Sequence, residues 1–125
     1  MIADRERYLS LETRRKNGQA VRTPVWFAQA PAGPGTPVLY VYTLADSGTA
    51  KRIRRSAVSR IAPCNARGSV SGPWLDASAA IVTGAEADRG MRLINRKYWP
   101  WKQILDLSVL LSRRHERVVL AIRPA

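Results

Sequence analysis

Residues 8–28 read YLSLETRRKNGQAVRTPVWFA, and their pattern decides the fold. From Tyr8 to Arg15, Tyr8, Ser10, Glu12 and Arg14 alternate with Leu9, Leu11 and Thr13, the period of a half-buried strand. Asn17-Gly18 follows, and both residues tolerate the positive φ of a tight hairpin turn. The run from Gln19 to Ala28 is rich in β-branched and aromatic residues and reads as the returning strand. Pro24 has no N–H to give to a ladder, so an edge, a bulge or an interruption is expected near it.

Downstream, Gln29 to Pro37 carries prolines and glycines and reads as a loop. Val38 to Thr43 is a strand, and Leu44 to Gly48 a turn. Thr49 to Ser56 reads as a short helix capped by Asp46 or Ser47. Val58 to Cys64 and Val70 to Thr83 are strands, the second containing Gly72-Pro73. Ala85 to Tyr98 has the apolar side of a helix in Met91, Leu93, Ile94 and Tyr98. Pro100 breaks it, Trp101 to Ser112 reads as helix again, and Arg117 to Ile122 is a closing strand. Upstream, Asp4 suits the cap of a first helical turn over Ala3 to Tyr8. A strand meander, a late helix pair and a last strand indicate a mainly β, α+β barrel. No linker divides the chain, so residues 1–125 are expected to form one domain.

The 125 residues include 21 Lys and Arg against 9 Asp and Glu, a formal charge of +12. Such an excess attracts anions: nucleic acid, acidic lipid headgroups or phosphorylated cofactors. At 46% hydrophobic residues, the composition is that of a folded domain and not of a disordered chain. The stretch from Ile104 to Leu111, interrupted by Asp106 and Ser108, falls far short of the roughly 20 residues of a membrane span. The N-terminal segment has no apolar signal-peptide core. One cysteine excludes an internal disulfide, and the chain is expected in the cytoplasm.

Chemistry-bearing motifs are few. One histidine and one cysteine do not make a zinc site. His115 reads as a solvated surface residue and Cys64 as a buried thiol. Gly33-Pro34-Gly35 lacks the strand–turn–helix context of a phosphate loop. The basic run is the exception. A strand ending at Thr43, a Ser/Gly turn and a helix start align free N–H groups and a positive dipole end. Lys51 and Arg54 are in reach of an anion held there. Trp26 and Trp74 read as strand residues of the core. Trp99 and Trp101 flank Pro100 between Lys97 and Lys102, an arrangement suited to a planar anionic ligand or to an interface.

Together with YTLADSGTAKRIRRSAVSRIAPCNARGSVSGPW at 42–74, RKY at 96–98 and RVVLAIRP at 117–124, the opening stretch resembles the pyridoxamine-phosphate-oxidase-like split barrels. More narrowly, it resembles the oxidoreductases of that class that depend on coenzyme F420, a deazaflavin. The resemblance spans Tyr8 to Pro124. It implies a six-stranded antiparallel split β-barrel with flanking helices, working as a homodimer with two cofactor sites along the interface. It implies that the backbone at Thr23, Pro24 and Val25 lies along the cofactor. Thr43, Ser47 and the basic segment, with Lys51 and Arg54, would hold the phosphate, and Lys97 and Tyr98 complete the site. Two positions depart from the pattern. Thr49 stands where the family has a lysine, and Trp99 where it has a glycine.

The resemblance implies hydride transfer from reduced coenzyme F420 to a small organic acceptor, with the cofactor carrying the chemistry. Lys51, Arg52, Arg54 and Arg55 are then expected to serve its phosphodiester and oligoglutamate tail. FMN in the same site is the alternative cofactor, and a non-catalytic carrier the alternative role. A nucleic-acid-binding module is a further alternative, disfavoured because the basic residues are spread along the chain and no base-reading motif is visible.

Overall fold

The hairpin forms as its sequence requires. β1 (Tyr8–Arg14) and β2 (Ala20–Val25) pair antiparallel, with Leu9 opposite Val25, Leu11 opposite Thr23 and Glu12 opposite Arg22. Gly18 takes φ 86°, and the Asn17 side chain accepts the Gln19 amide at 2.9 Å. The computed structural model describes residues 6–30, 37–99 and 116–124. The expected turn at Ala3, the helix over 101–112, His115 and most of the loop after Gln29 lie outside them.

The remaining elements are β3 (Phe27–Gln29), β4 (Leu39–Leu44), α1 (Gly48–Arg55), β5 (Val58–Cys64), β6 (Leu75–Val82), α2 (Gly84–Lys97) and β7 (Arg117–Pro124). One antiparallel sheet takes the order β2-β1-β5-β6-β7-β4-β3. Its two edge strands, β2 and β3, are consecutive in the chain with only Trp26 between them. The sheet must therefore curl until its edges meet. Six strands were expected and seven are present, because the run from Gln19 to Ala28 divides at Trp26. Counted as one bent strand, β2–β3 restores the number.

The strand that holds Pro24 is an edge, as one of the expectations had it; Pro24 stays within β2 opposite Ser10, and the interruption falls two residues on, at Trp26. The reason lies in the pairing. Among the described residues β2 has a strand partner on one side alone, so a residue without an N–H is accommodated on its open edge. The second departure is the expected strand from Val70 to Thr83, which begins only at Leu75. Before it Val70 makes a single bridge to Cys64, and the chain bends through Gly72-Pro73.

Inward residues of every strand meet in one core. Leu9 and Leu11 of β1, Phe27 of β3, Leu39 and Val41 of β4, Ile61 of β5, Ala79 of β6, and Leu120 and Ile122 of β7 are buried together. Val25 of β2 packs against them, and Ile53 of α1 plugs one end. Each large aliphatic buried there contributes roughly 1.5–3 kcal/mol. α2 covers the outer face of β3, β4 and β7, where Ala28, Tyr40, Ile94, Tyr98, Val119 and Ala121 form a second cluster. The helix comes close because Gly90 has no side chain. A Cβ there would lie 2.8 Å from the Tyr40 ring and 3.0 Å from Val119.

The outer face of β1 carries a charge. Glu12 is 1% exposed and flanked across the sheet by Arg22 on β2 and Arg60 on β5. Its carboxylate accepts from Nε of Arg22 and Nε of Arg60, both at 2.9 Å, and lies 3.2 Å from Arg14 Nη2. These partners, the Arg60 hydrogen bond foremost, hold its pKa down at about 2 against the opposing pull of burial. Both arginines also lie over Trp74, at 4.6 and 5.1 Å from the ring centre. Trp74 is thus a half-buried outer-face residue just before β6, and not the core strand residue its surroundings in the sequence suggest.

Two outcomes are expected. Gly90→Val should cost about 1–3 kcal/mol in a denaturant melt through overpacking against Tyr40. Glu12 has a folded pKa below its ordinary value of 4.5. Its contribution, on the order of 3 kcal/mol, is therefore fully present above that value and lost as pH falls toward 2. Stability measured across this window should drop in the wild type and stay flatter in Glu12→Gln, which starts lower.

Candidate functional site: the split between two strand edges

β3 accompanies β4 only as far as Phe27 opposite Val41. Beyond that point the chain turns at Trp26 and pairs with β1 instead. The end of β4, Tyr42 to Leu44, keeps β7 on one side and has no described strand on the other. Two open strand edges, that of β2 and that of the end of β4, therefore diverge from Trp26. Such edges present in-plane N–H and C=O groups, and a flat ligand with polar edges can pair with them.

The wide end of the split is closed by the turn after β4. Ser47 caps α1, its Oγ accepting the Ala50 amide at 3.1 Å and lying 3.0 Å from Thr43 Oγ1. The amides of Gly48 and Thr49 precede the first intrahelical bond, which runs from Lys51 N to Ser47 O. The first turn itself holds no acidic residue, and Asp46 immediately precedes the cap.

Arg52 lies back over this helix start. Its guanidinium approaches Gly48 so closely that a Cβ there would meet Nη1 at 2.7 Å. Nη2 is 3.4 Å from Thr49 Oγ1, and Nε donates to Thr13 Oγ1 at 2.7 Å. Burial, with Arg15 and Arg55 nearby, lowers its pKa below the usual arginine value. Its guanidinium thus lies beside the first two residues of α1. The other basic side chains of α1 divide differently. Arg54 donates to the Ala45 carbonyl at 2.8 Å and braces the turn, Arg55 donates to the Arg14 carbonyl, and Lys51 is exposed.

The sequence-predicted residues fall into three groups. Thr43 and Ser47 are in contact at the helix start, with Lys51 one turn on. Thr23 and Val25 lie on the opposite edge with their side chains on the core face, while Pro24 and Arg22 share the outer face. Lys97 and Tyr98 stand at the apex of the split. The Tyr98 hydroxyl accepts the Phe27 amide at 3.0 Å and lies 2.7 Å from the Arg7 carbonyl and 2.8 Å from that of Phe27. The Trp26 ring stacks on Tyr98 at 4.6 Å, and Lys97 Nζ sits 3.6 Å from the centre of the Phe27 ring. These residues pin the branch point, while exposed Trp99 follows at the surface.

No group of His, Cys, Asp and Glu suited to a metal ion occurs among the described residues, and no described helix is long and apolar enough to cross a membrane. Cys64 is buried, and burial raises its thiol pKa.

The curled antiparallel sheet with its two helices is a fold shared with known structures. HutZ, the heme storage protein of Vibrio cholerae, matches with a TM-score of 0.65 at 16% identity, covering 96% of this chain and 82% of its own. A structure described as F420 reductase matches at 0.58 and 18% identity, covering 98% and 89%. A Listeria innocua protein, provisionally named a pyridoxamine 5'-phosphate oxidase, matches at 0.60 and 13% identity, covering 94% and 83%. At these identities the likeness establishes the fold. No family model and no curated protein sequence matches the chain.

Tyr98→Phe should leave the buried Phe27 amide without its acceptor. A loss of about 1–3 kcal/mol is expected in thermal or chemical unfolding, together with faster hydrogen exchange at Phe27.

Proposed function

We propose that this chain is a deazaflavin-binding oxidoreductase of the split-barrel type, using reduced coenzyme F420 to deliver a hydride to a small organic acceptor. The observation that carries the reading is the split itself, with two open strand edges ending on a capped helix start that holds Arg52. The donors present fit a flat cofactor with an anionic arm. Backbone groups of β2 and the end of β4 would hold its rings, and the Gly48 and Thr49 amides, Ser47, Lys51 and Arg52 would hold its phosphodiester. Arg52 makes up for the lysine that Thr49 replaces.

The cofactor, when bound, would supply the hydride, and no side chain needs to act as nucleophile. The chain's part is to hold the rings against the barrel wall, fix their orientation and keep water from one face. Tyr98 and Trp26 set the angle at which the two edges part. Assembly as a homodimer in the cytoplasm, with the cofactor along the subunit interface, belongs to the same proposal and follows from the family resemblance. FMN is the competing cofactor, and the fold shared with a heme storage protein favours a carrier role as the second reading.

Titration of the purified protein with coenzyme F420 and with FMN separates these readings. Tighter binding of F420, with turnover of an acceptor, supports the proposal. Preference for FMN, or tight binding with no turnover of any acceptor, defeats it. Arg52→Gln should weaken F420 binding by about tenfold, and Lys51→Ala by about two- to fivefold. Unchanged affinity in both variants would remove α1 from the site.

A further inference from the structure

α2 has one side that the fold leaves unused. Ala87, Met91, Leu93, Ile94 and Tyr98 pack toward the sheet. Away from it, at steps of three and four residues, come Arg89, Arg92, Arg96 and, just past the cap, Trp99, all of them exposed. Residues so spaced share one face of a helix. None of the three arginines makes an ion pair among the described residues. The acidic residues of α2 sit nearer its start. Glu86 is turned to Tyr40 and Arg123, and Asp88 precedes the stripe. At the other end exposed Arg7 joins the stripe, because its carbonyl lies 2.7 Å from the Tyr98 hydroxyl. The C-terminal half of the helix is therefore basic, and it ends on an indole ring.

Ordinary solvation leaves two features unexplained. Cations in the last turn suit the negative end of the helix dipole, which accounts for Arg96. Arg89 and Arg92 lie further back, where like charges three and four residues apart repel one another. Trp99 is the second. Its 71% exposure exceeds that of any other large apolar residue described. Both features suit an extended anionic surface with an apolar layer beneath it. The other occupants fit less well. A second copy brings the same +12 charge and is repelled. One ring at the end of a convex helix is not a row on which successive bases stack. A bilayer needs no such row. Its anionic headgroups attract each arginine near the surface, and an indole favours the headgroup level, where its ring and its N–H are both accommodated. The apolar side of α2 is spent on the sheet, so the helix rests on the surface without sinking into it.

We propose that the C-terminal half of α2 is a docking face for an anionic lipid bilayer, with Arg92, Arg96 and Arg7 against the headgroups and Trp99 among them. The inference does not depend on what the split binds. Vesicles of phosphatidylcholine, alone or mixed with phosphatidylglycerol, are sedimented with the wild type, with Arg92→Gln/Arg96→Gln and with Trp99→Ala. Lys16→Gln/Arg67→Gln is the control, since it removes the same charge from two exposed turns. The wild type should bind the mixed vesicles and not the neutral ones, and the binding should weaken as salt is raised. Partition onto the mixed vesicles should fall about tenfold in the α2 arginine pair, about three- to tenfold in Trp99→Ala, and less than about twofold in the control. Equal binding to both kinds of vesicle overturns the proposal. So does a loss in the control as large as in the α2 pair, which would mark a diffuse attraction with no docking face. A single-stranded oligonucleotide and a glutamate-rich peptide are titrated in parallel. If the α2 pair loses either of these and keeps the vesicles, the face belongs to nucleic acid or to an acidic protein, and the proposal fails.

Discussion

Residues 20–29 have to serve as both edges of a single sheet. Backbone polar groups must find partners, and this run finds them with β1 before Trp26 and with β4 after it. No strand can follow two diverging neighbours without a break. The break is held by one hydroxyl, because Tyr98 accepts the Phe27 amide and reaches the carbonyls of Phe27 and Arg7. The barrel curvature, the opening between β2 and the end of β4, and the placing of α1 at its wide end all follow from that branch. The end of α2 is thereby coupled to the branch.

Much of the architecture was legible because it rests on local rules. The alternation of Leu9, Leu11 and Thr13 and the Asn17-Gly18 turn gave β1 and β2, and the capping pair Asp46 and Ser47 marked the start of α1, where Ser47 is the one that caps. The position of the break was not legible. Pro24 signalled an edge or an interruption nearby, and β2 is an edge, but the branch at Trp26 rests on Tyr98, 71 positions from the Phe27 amide it accepts. Trp74 misled for a similar reason. Its neighbours in the chain look strand-like, but its partners are arginines brought in by β2 and β5.

The candidate site divides in the same way. Thr43 and Ser47 were readable as a strand end and a helix cap, and they do touch. Arg52 is less obvious, since only a packed structure shows it turned back over Gly48 and tied to Thr13. Arg54 and Arg55 look equivalent to it in sequence, but both are engaged with carbonyls. The Glu12 cluster left one trace in the sequence. Glu12 and Arg14 share a strand face, and Arg22 sits where the hairpin register places it opposite Glu12. Arg60 becomes visible only once β5 is known to be the other neighbour.

The open edge of β2 has a consequence for solubility. An uncovered strand edge is a template on which another chain can add, and the safeguards known to prevent this are proline and charge. β2 carries both, with Pro24 interrupting the row of donors and Arg22 projecting from the outer face. The strand that must stay unpaired to leave the split open is thus also the one least able to recruit a stray partner. Replacing either residue by a β-branched apolar one would turn this open edge into an aggregation seed.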